Sequence, residues 1–310
     1  MSHGPAEPAG RATVPIFWVD AFTDRRFGGN PAAVCLLTGP ADEQWMQGLA
    51  TELGLSETAY VWPAAGGRAS GPAGELSLRW FTPTTEVDLC GHATLATAHA
   101  LRQAGRAGDG DVLVFRTRSG RLTARFDGHV VELDLPTTRP VPVDRPPALP
   151  ASWPVAAVAE YGGSLVVELD GADAVRAAVV DVPAIAALAY RVVVVTARGP
   201  APVAPMDQAD QADQATGPMP PADPPPADPP PADYVLRVFG PNVGIDEDPV
   251  TGSAQCVLGP YWADRLGRTV LQAEQLSARG GRLRVEVDGD RVRVAGSAVT
   301  VLAGHVEGPV

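Results

Sequence analysis

The chain has 310 residues, about twice the length of a usual single domain, so we expect two domains that each bury their own core. Its formal net charge of −12 and isoelectric point near 4.8 argue against nucleic acid and anionic membranes as partners, because both require a basic surface. The sequence contains no lysine, which excludes Schiff-base chemistry with pyridoxal phosphate or a carbonyl substrate and the lysine of a Walker A loop.

Targeting and cofactor-binding patterns are also missing from the sequence. No apolar run approaches the ~18 residues of a membrane span, and the N-terminus lacks the regions of a signal peptide, so we expect a cytoplasmic protein. No GxGxxG motif opens a helix after a strand, and no GxSxG nucleophile elbow occurs. We therefore expect a small-molecule substrate and chemistry that uses neither a metal nor an organic cofactor.

The first half of the chain is predicted to contain strands and two helices. After a tail rich in Pro, Gly and Ala at residues 1–13, the apolar pattern predicts strands at Ile16–Ala21, Ala32–Leu37, Thr58–Trp62, Leu76–Phe81, Val112–Phe115, Leu122–Phe126 and Val130–Leu135. Helices are predicted over Asp42–Leu53, with Asp42 at the N-cap, and over Gly91–Gln103, which consists mainly of small and apolar residues. Residues 14–137 are assigned to the first domain.

A Pro-rich linker at residues 138–154 is predicted to lead into a second domain, residues 155–310. The elements predicted there are strands Ser164–Leu169, Arg191–Thr196 and Tyr234–Phe239, helices Ala172–Val179 and Gly252–Leu266, and a hairpin of Leu283–Val287 and Arg291–Ala295. Residues 199–233 form a low-complexity Pro/Ala/Asp tract, which we interpret as a disordered insert without a catalytic role. Because the strands adjoin one another rather than alternate with helices, the predicted fold class is α+β, not a doubly wound parallel sheet.

The two halves share one weak internal similarity. In each half an acidic, turn-like segment leads into a helix whose first turn contains only small residues, as in VDLCGHATLATAHAL and DEDPVTGSAQCVLGPYW. A helix start of this kind exposes unpaired N–H groups and the positive end of the helix dipole, which suits it to hold a carboxylate. Two such helix starts facing one cleft would bind a small anion.

Three titratable residues are candidates for acid–base chemistry. Glu57 begins an otherwise apolar strand, where burial would raise its pKa and make it a base at neutral pH; the alternative is a solvated edge residue. His92 lies at the mouth of the first small-residue helix, whose dipole favours a neutral imidazole, or it is simply a cap or a packed side chain. Asp248 precedes the second such helix and either reacts or caps it, and Asp246 and Glu247 would raise its pKa.

The cysteines and two residues of the second motif also bear on the site. The three cysteines, Cys35, Cys90 and Cys256, are scattered, so neither a disulfide framework nor a zinc cluster is predicted. Cys90 adjoins a helix start and could act as a thiolate base, although a buried structural thiol is the commoner outcome. We assign Cys35 and Cys256 to the core. Gly252 permits close backbone contact with a ligand, and Ser253 adds a hydroxyl group.

Four segments, taken together and in order, resemble the PhzF-like family of phenazine biosynthesis isomerases, which shares the diaminopimelate epimerase-like fold. They are VDAFTDRRFGGNPAAVCLL, LSETAYVW, LRWFTPTTEVDLCGHATLATAHAL and RVFGPNVGIDEDPVTGSAQCVLGPYWADRLG, and they span Val19–Gly267. The resemblance implies two pseudo-symmetric domains, each with a sheet wrapped around a central helix, and an active site in the cleft between them. It also implies a homodimer.

The resemblance also implies roles for individual residues. The family's acid–base glutamate falls on Glu57, which would move a proton between two carbons of a small, cyclic amino or hydroxy carboxylate in a 1,3-hydrogen shift. The family's histidine falls on His92 and its aspartate on Asp248, which would assist proton transfer and bind the substrate. Further substrate contacts are expected from Asn30, Cys90, Gly91, Thr251, Gly252 and Ser253.

Alternatives to this isomerase remain open at the level of sequence. Related racemases on this fold use one cysteine from each half, and this chain has Cys90 in the first half but no thiol in the motif Asp248–Ser253 of the second. A mixed mechanism, with Cys90 on one face of the substrate and a carboxylate on the other, is still possible. Two other functions also remain open: an amino-acid epimerase or racemase, and a non-catalytic protein that binds small anions on the same fold.

Overall fold

A computed structural model describes residues 13–66, 74–200 and 230–309. The predicted tail up to residue 12, most of the insert predicted at residues 199–233, and the segment 67–73 lie outside the described residues. Thr13, predicted to end the tail, already belongs to the first strand. None of the described helices is long and apolar enough to cross a membrane.

The predicted elements of the first half are confirmed to within a few residues. Its strands are β1 (Thr13–Ala21), β2 (Asn30–Leu36), β3 (Glu57–Pro63), β4 (Glu75–Phe81), β5 (Glu86–Val87), β6 (Val112–Thr117), β7 (Gly120–Asp127) and β8 (Val130–Pro136). Its helices are α1 (Glu43–Leu53) and α2 (Gly91–Gln103). The carboxylate of Asp42 accepts hydrogen bonds from two backbone N–H groups at the start of α1, which confirms Asp42 as the N-cap.

The second half contains more elements than the sequence pattern predicted. Its strands are β9 (Val141–Pro142), β10 (Val155–Tyr161), β11 (Ser164–Leu169), β12 (Val193–Arg198), β13 (Tyr234–Gly240), β14 (Ile245–Asp248), β15 (Val270–Gln275), β16 (Gly281–Asp288) and β17 (Arg291–Glu307). Its helices are α3 (Ala172–Ala177), α4 (Val182–Ala187) and α5 (Gln255–Leu266), with a 3-10 turn at Pro241–Val243. The prediction missed β9, β10, β14, β15 and α4. It also began α5 at Gly252, where the chain instead forms turns up to Ala254.

The strand pairing of the first half recurs in the second. In the first half β1–β2 is antiparallel, β2–β3 parallel, β3–β4 antiparallel and β4–β6 parallel, and β6, β7 and β8 form a meander. In the second half β10–β11, β11–β12, β12–β13 and β13–β15 repeat those directions, and β15, β16 and β17 form the meander. Helices α2 and α5 take the same place in each repeat. This order agrees with an α+β fold and with pseudo-symmetry, while the division into two domains at residues 138–154 stays a prediction.

The last strand, β17, joins the two repeats. Its first part pairs with β16 on one side and β8 on the other, and residues 298–307 pair with β1. A Cβ at Gly296 would lie 2.5 Å from Cδ1 of Phe22, so the strand can pass the Phe22 ring only with glycine at this position. The prediction ended this strand at Ala295, because the pattern before Gly296 does not reveal the distant partner β1.

The two central helices owe their position to small side chains. Ten of the thirteen residues of α2 are buried, because strands of both halves, from β1 to β17, pack around it. The hydroxyls of Thr94 and Thr97 donate to backbone carbonyls one turn earlier, so these buried polar groups are satisfied. Helix α5 packs against β15, β16 and β17, and a Cβ at Gly259 would lie 3.1–3.3 Å from three valines. Close packing of this kind holds both helix starts at fixed positions.

Candidate active site

Glu57 is the first residue of β3 and lies beside Ala32 of the parallel strand β2. Its side chain is buried, and its Oε2 atom lies 3.2 Å from Nε2 of His92. The geometry of that approach does not make a hydrogen bond, and Oε2 has no hydrogen-bond partner among the described residues. A buried carboxylate oxygen without a donor is available to accept a proton from a bound molecule.

His92 lies in the first turn of α2, where the imidazole is buried and contacted on both ring nitrogens. Nε2 lies 3.3 Å from the hydroxyl oxygen of Ser56, and Nδ1 lies 3.1 Å from Nδ2 of Asn30 and 3.5 Å from Sγ of Cys90. The Ser56 hydroxyl can donate to Oδ1 of Asn30 at 3.2 Å, which leaves its oxygen free to accept from Nε2–H. The Nε2–H group is therefore directed toward Ser56 and Glu57.

Asn30 links the first repeat to the second. Its side chain is completely buried, and Nδ2 donates to Oδ1 of Asp248 at 2.7 Å and to the carbonyl of Val250 at 2.8 Å. These two acceptors fix the orientation of the amide, because an amide oxygen in the same place would be repelled by both. Asn30 does not line the cavity described below. We therefore propose that it positions His92 and Asp248, in place of the substrate contact that the sequence analysis expected.

Asp248 ends β14 and is held in a network of hydrogen bonds. Its carboxylate accepts from the hydroxyl of Thr251 as well as from Asn30. Gln275, at the end of β15, fixes the backbone of this turn: Oε1 accepts from the N–H of Thr251 at 2.8 Å, and Nε2 donates to the carbonyl of Asp248 at 2.6 Å. The sequence analysis did not single out Gln275, because a glutamine at the end of a strand gives no sign of which distant backbone groups it meets.

The start of α2 and the turn before α5 lie in direct contact. A Cβ at Gly91 would lie 3.2 Å from the backbone nitrogen of Ser253 and 3.3 Å from the Cα and carbonyl carbon of Gly252. Neither helix has a side-chain cap at its N-terminus. Within the described ranges, the N–H groups of Gly91, His92, Gly252 and Ser253 have no protein acceptor. Two positive helix ends with free donors therefore meet at one point, which makes a binding site for an anion.

Phe22 supports this contact from the first repeat. It is buried and has φ of +62°, a conformation that bulky residues rarely adopt. A Cβ at Gly252 would lie 2.9 Å from Cζ of the Phe22 ring, so Gly252 is needed to let the turn approach both Phe22 and Gly91. The sequence analysis missed Phe22, since an aromatic residue after an apolar strand carries no signal of an unusual backbone conformation.

A cavity of about 890 Å³ brings these groups together, a volume within the usual range for small-molecule sites. The residues of the predicted site that line it are Glu57, Cys90, Gly91, His92, Asp248, Thr251, Gly252 and Ser253. Apolar side chains complete its wall, among them Leu89, Val192, Val238, Ile245 and Val257. Every candidate residue from the sequence analysis except Asn30 therefore lines one cavity.

The charges of Glu57 and His92 differ from the sequence-based expectation. Burial acts to raise the pKa of Glu57, but the positive charge of His92 and several hydrogen bonds outweigh it, so the pKa lies below its ordinary value of 4.5. Burial acts to lower the pKa of His92, yet Cys90 and Glu57 outweigh it, and this pKa lies well above 6.5. The pair is thus a carboxylate and an imidazolium at neutral pH, so the expected raised pKa of Glu57 and neutral His92 are both wrong.

Asp248 follows the expected direction for a different reason. Burial is the largest cause that raises its pKa above 3.8, and the negative charge of Glu57 adds to it, while His92 acts in the opposite direction. The sequence analysis attributed the shift to Asp246 and Glu247. Glu247 instead pairs with Arg237, with 2.8 Å between Nε and Oε1, so its charge is largely neutralised.

The cysteine thiols are protonated at neutral pH. Burial raises the pKa of Cys90 to about 11 and that of Cys256 to about 12. Cys35 and Cys256 are both in the core, as predicted, and Cys256 also lines the cavity. One ligand atom each of Glu57, Cys90 and His92 lie within 4.8 Å of one another, a group that could hold a metal ion only after Cys90 loses its proton.

Comparisons with known proteins extend over nearly the whole chain. The sequence model of the family described as "Phenazine biosynthesis-like protein" matches residues 19–304. An uncharacterized isomerase from Pseudomonas aeruginosa is 42% identical over 295 residues, which cover 93% of this chain and 97% of that protein.

Solved structures of the same family also match over nearly the whole chain. The crystal structure of a phenazine biosynthesis protein of the PhzF family from Enterococcus faecalis matches with a TM-score of 0.77 and 35% identity, covering 95% of this chain and 99% of that chain. A probable proline racemase from Agrobacterium radiobacter has a TM-score of 0.54 at 15% identity, covering 95% and 93% of the two chains, which is a likeness of fold alone. Both matches are consistent with the predicted diaminopimelate epimerase-like fold.

Proposed function

The chain belongs to the phenazine biosynthesis-like family of isomerases, and from this we propose that it moves a proton on a small, cyclic amino or hydroxy carboxylate without a cofactor. The observation that carries the proposal is the buried Glu57 carboxylate, which is held ionised by His92, with Oε2 3.2 Å from Nε2, and makes no well-aligned hydrogen bond through Oε2 to the described residues. It lies in the same cavity as two helix starts with free N–H groups.

The substrate carboxylate binds first in this mechanism. It accepts hydrogen bonds from the N–H groups of Gly91, His92, Gly252 and Ser253, for which the described part of the chain offers no acceptor. Each of these donors carries the favourable potential of a helix N-terminus. The contact between Gly91 and Gly252 sets the donors of both helices at one point, so one carboxylate can use both sets.

Glu57 then performs the proton transfer. Its carboxylate takes a proton from a ring carbon, and the electron pair of that C–H bond moves into the adjacent π system. The proton on Glu57 exchanges with water while the intermediate is bound, and Glu57 then delivers a proton to a second carbon two atoms away, which completes a 1,3-shift on one face of the ring. The carboxylate is regenerated, so no external acid or oxidant is consumed.

His92 and Asp248 assist from either side of this step. The His92 imidazolium lies 3.2 Å from Glu57 and stabilises negative charge that forms on the substrate while Glu57 is neutral. Asp248 is fixed by Asn30 and Thr251, and its carboxyl oxygens are placed to accept from an amino or hydroxy group of the substrate.

The geometry favours this one-base isomerase over a two-base epimerase that uses Cys90. A carbon held between two bases, each ~3–3.5 Å away, needs those bases roughly 6–7 Å apart. Atoms of Glu57 and Cys90 lie within 4.8 Å of one another, and the Cys90 thiol is protonated at neutral pH. A purely anion-binding protein would need no buried carboxylate in the cavity, because its negative charge repels the bound anion.

Isotope exchange in deuterated water tests the proposal. Candidate cyclohexene and cyclohexadiene amino and hydroxy carboxylates should acquire deuterium at a ring carbon with migration of a double bond, and Glu57→Gln should reduce the rate by roughly 10²–10⁴-fold. Glu52→Gln, at an exposed glutamate of α1, is the matched control and should react like the wild type. Unchanged exchange in Glu57→Gln would refute the role of Glu57. Change of optical rotation without bond migration would indicate an epimerase, and ligand protection without exchange would indicate a binder.

A homodimer in solution is part of the same proposal. Light scattering would measure it, and a monomeric mass at micromolar concentration would contradict it.

A further inference from the structure

Arg191 is a basic residue of the cavity wall that has no role in the proposed mechanism. Of the described residues that line the cavity, only Arg191 and His92 have basic side chains. In the parts of the chain that the structure describes, the Arg191 guanidinium makes no ion pair and no hydrogen bond. The acidic residues Glu86 and Asp88 also line the cavity, but both are paired with arginines. Arg79 and Arg118 each lie 2.6 Å from Glu86, and Arg118 lies 3.3 Å from Asp88. Arg191 is thus an uncompensated positive charge at the cavity wall.

The backbone and stem of Arg191 are fixed, although its end is exposed. Its N–H donates to the carbonyl of Gly163 at 2.9 Å, and Cδ of the side chain would lie 3.8 Å from a Cβ placed at Gly163. Arg191 precedes β12, which is the counterpart of β3 in the repeated topology. Glu57 begins β3 and Arg191 lies two residues before the start of β12, so the corresponding ends of the two strands both reach the cavity.

Two hydroxyl groups lie on the same part of the wall. Tyr161, at the end of β10, and Ser164, at the start of β11, both line the cavity and flank the turn that Arg191 contacts. Burial raises the pKa of Tyr161 to about 12, so its hydroxyl keeps its proton and can donate a hydrogen bond at neutral pH. A guanidinium beside two hydroxyl donors is a suitable set for binding a carboxylate.

The strand register gives the distance between this wall and the catalytic residues. Val238 of β13 pairs with Asp248 on one side and with Val194 of β12 on the other. Arg191 therefore lies two strand spacings of ~4.8 Å across and three residues of ~3.4 Å along from Asp248, or roughly 14 Å between Cα atoms. Since both residues line the cavity, a molecule that contacts the two ends needs the length of a ring or a short chain.

We propose that Arg191, with the hydroxyls of Tyr161 and Ser164, binds a second carboxylate of the substrate, so that the substrate is a dicarboxylate. This inference rests on the proposed function for the first carboxylate, which the helix starts bind, and narrows its substrate class. The rest of the chain, with a net charge of −12, repels a dianion, and Arg191 supplies the local charge that offsets this repulsion.

Calorimetric titration with adipate and with monomethyl adipate tests the second carboxylate site. The two probes have the same chain length and differ in one charge. We expect adipate to bind the wild-type protein roughly 10- to 100-fold more tightly, the usual effect of hydrogen bonds to a charged group. Arg191→Gln should remove this preference and leave the affinity for monomethyl adipate unchanged. Tyr161→Phe should reduce the preference by a smaller factor.

A matched control and a catalytic variant keep the outcomes separate. Arg145→Gln, at an exposed arginine that does not line the cavity, should keep the preference for adipate. Glu57→Gln should also keep it while losing deuterium exchange. Equal affinities in the wild type, no measurable binding of adipate, or a preference that survives Arg191→Gln would each overturn this inference and leave the Glu57 mechanism untouched. If the wild-type protein prefers adipate but exchanges no deuterium, the Glu57 mechanism fails and this inference stands.

Discussion

The proposed mechanism requires the contact between Gly91 and Gly252, and Gly91→Ala tests this contact directly. The added Cβ would lie 3.2–3.3 Å from three backbone atoms of the facing turn. Backbone atoms cannot rotate away as a side chain does, so the two helix starts must separate by a few tenths of an ångström. Overpacking of this kind costs about 1–3 kcal/mol, partly offset by the better helix propensity of alanine.

Gly48→Ala is the control for the propensity effect. Gly48 lies inside α1, and a Cβ there would meet nothing within 4 Å, so this change should stabilise the protein by about 0.5–1 kcal/mol. We expect Gly91→Ala to be less stable than the wild type by about 1–2 kcal/mol in urea denaturation. The separation of the N–H donors should also slow deuterium exchange roughly 10- to 100-fold.

Two results would refute this reasoning. If Gly91→Ala is as stable as Gly48→Ala, the facing turn is not packed as closely as the distances indicate. If it is destabilised but exchanges deuterium at the wild-type rate, the two helix starts do not bind the substrate carboxylate together.

Three further predictions concern the ion pair of Glu57 and His92, the positioning role of Asn30, and the insert. Because the pKa of Glu57 is lowered and that of His92 is raised, activity should be flat near neutrality, fall on the acid side below pH 4.5 and fall on the alkaline side well above pH 6.5. His92→Asn should shift the acid limb of the pH–rate profile upward, since Glu57 then loses its positive neighbour; an unmoved limb would contradict the ion pair. Asn30→Ala should lower kcat with little change in KM and destabilise the protein by about 2–3 kcal/mol, because it removes the donor to Asp248; a raised KM with unchanged kcat would instead indicate direct substrate contact. Replacing residues 201–229 by a short glycine-rich turn should leave kcat within about twofold and raise stability by about 1–2 kcal/mol, because the described ends of this segment are already joined by a backbone hydrogen bond of 2.8 Å; a large loss of activity would show that the segment reaches the site.

The elements of the first half could be predicted because their patterns are local. Helix α2 was predicted with both its ends, and Asp42 with its capping role, since small residues and a capping aspartate act within a few positions of the chain. In the second half, β10 and β15 were missed, because their residues are half exposed and the alternation of apolar and polar residues is weak. The later part of β17 depends on β1, nearly the full length of the chain away.

The candidate site shows the same division between local and distant information. The sequence, through its resemblance to a family, pointed to Glu57, His92 and Asp248. It could not reveal Gln275 or Phe22, whose roles consist of contacts with distant backbone. It also gave the wrong charge state for Glu57 and His92, because each was judged by its own burial or helix end and not by the other's charge.

By itself the sequence determined the α+β class, the lack of lysine chemistry, the family and the residues that can hold a proton. Only the tertiary structure decided that Asn30 lies behind the site, that Glu57 and His92 form an ion pair, and that Arg191 faces the same cavity. The physical reason is that propensity and capping act over a few residues, whereas pKa and binding depend on atoms within a few ångströms in space, and the fold alone sets which atoms those are.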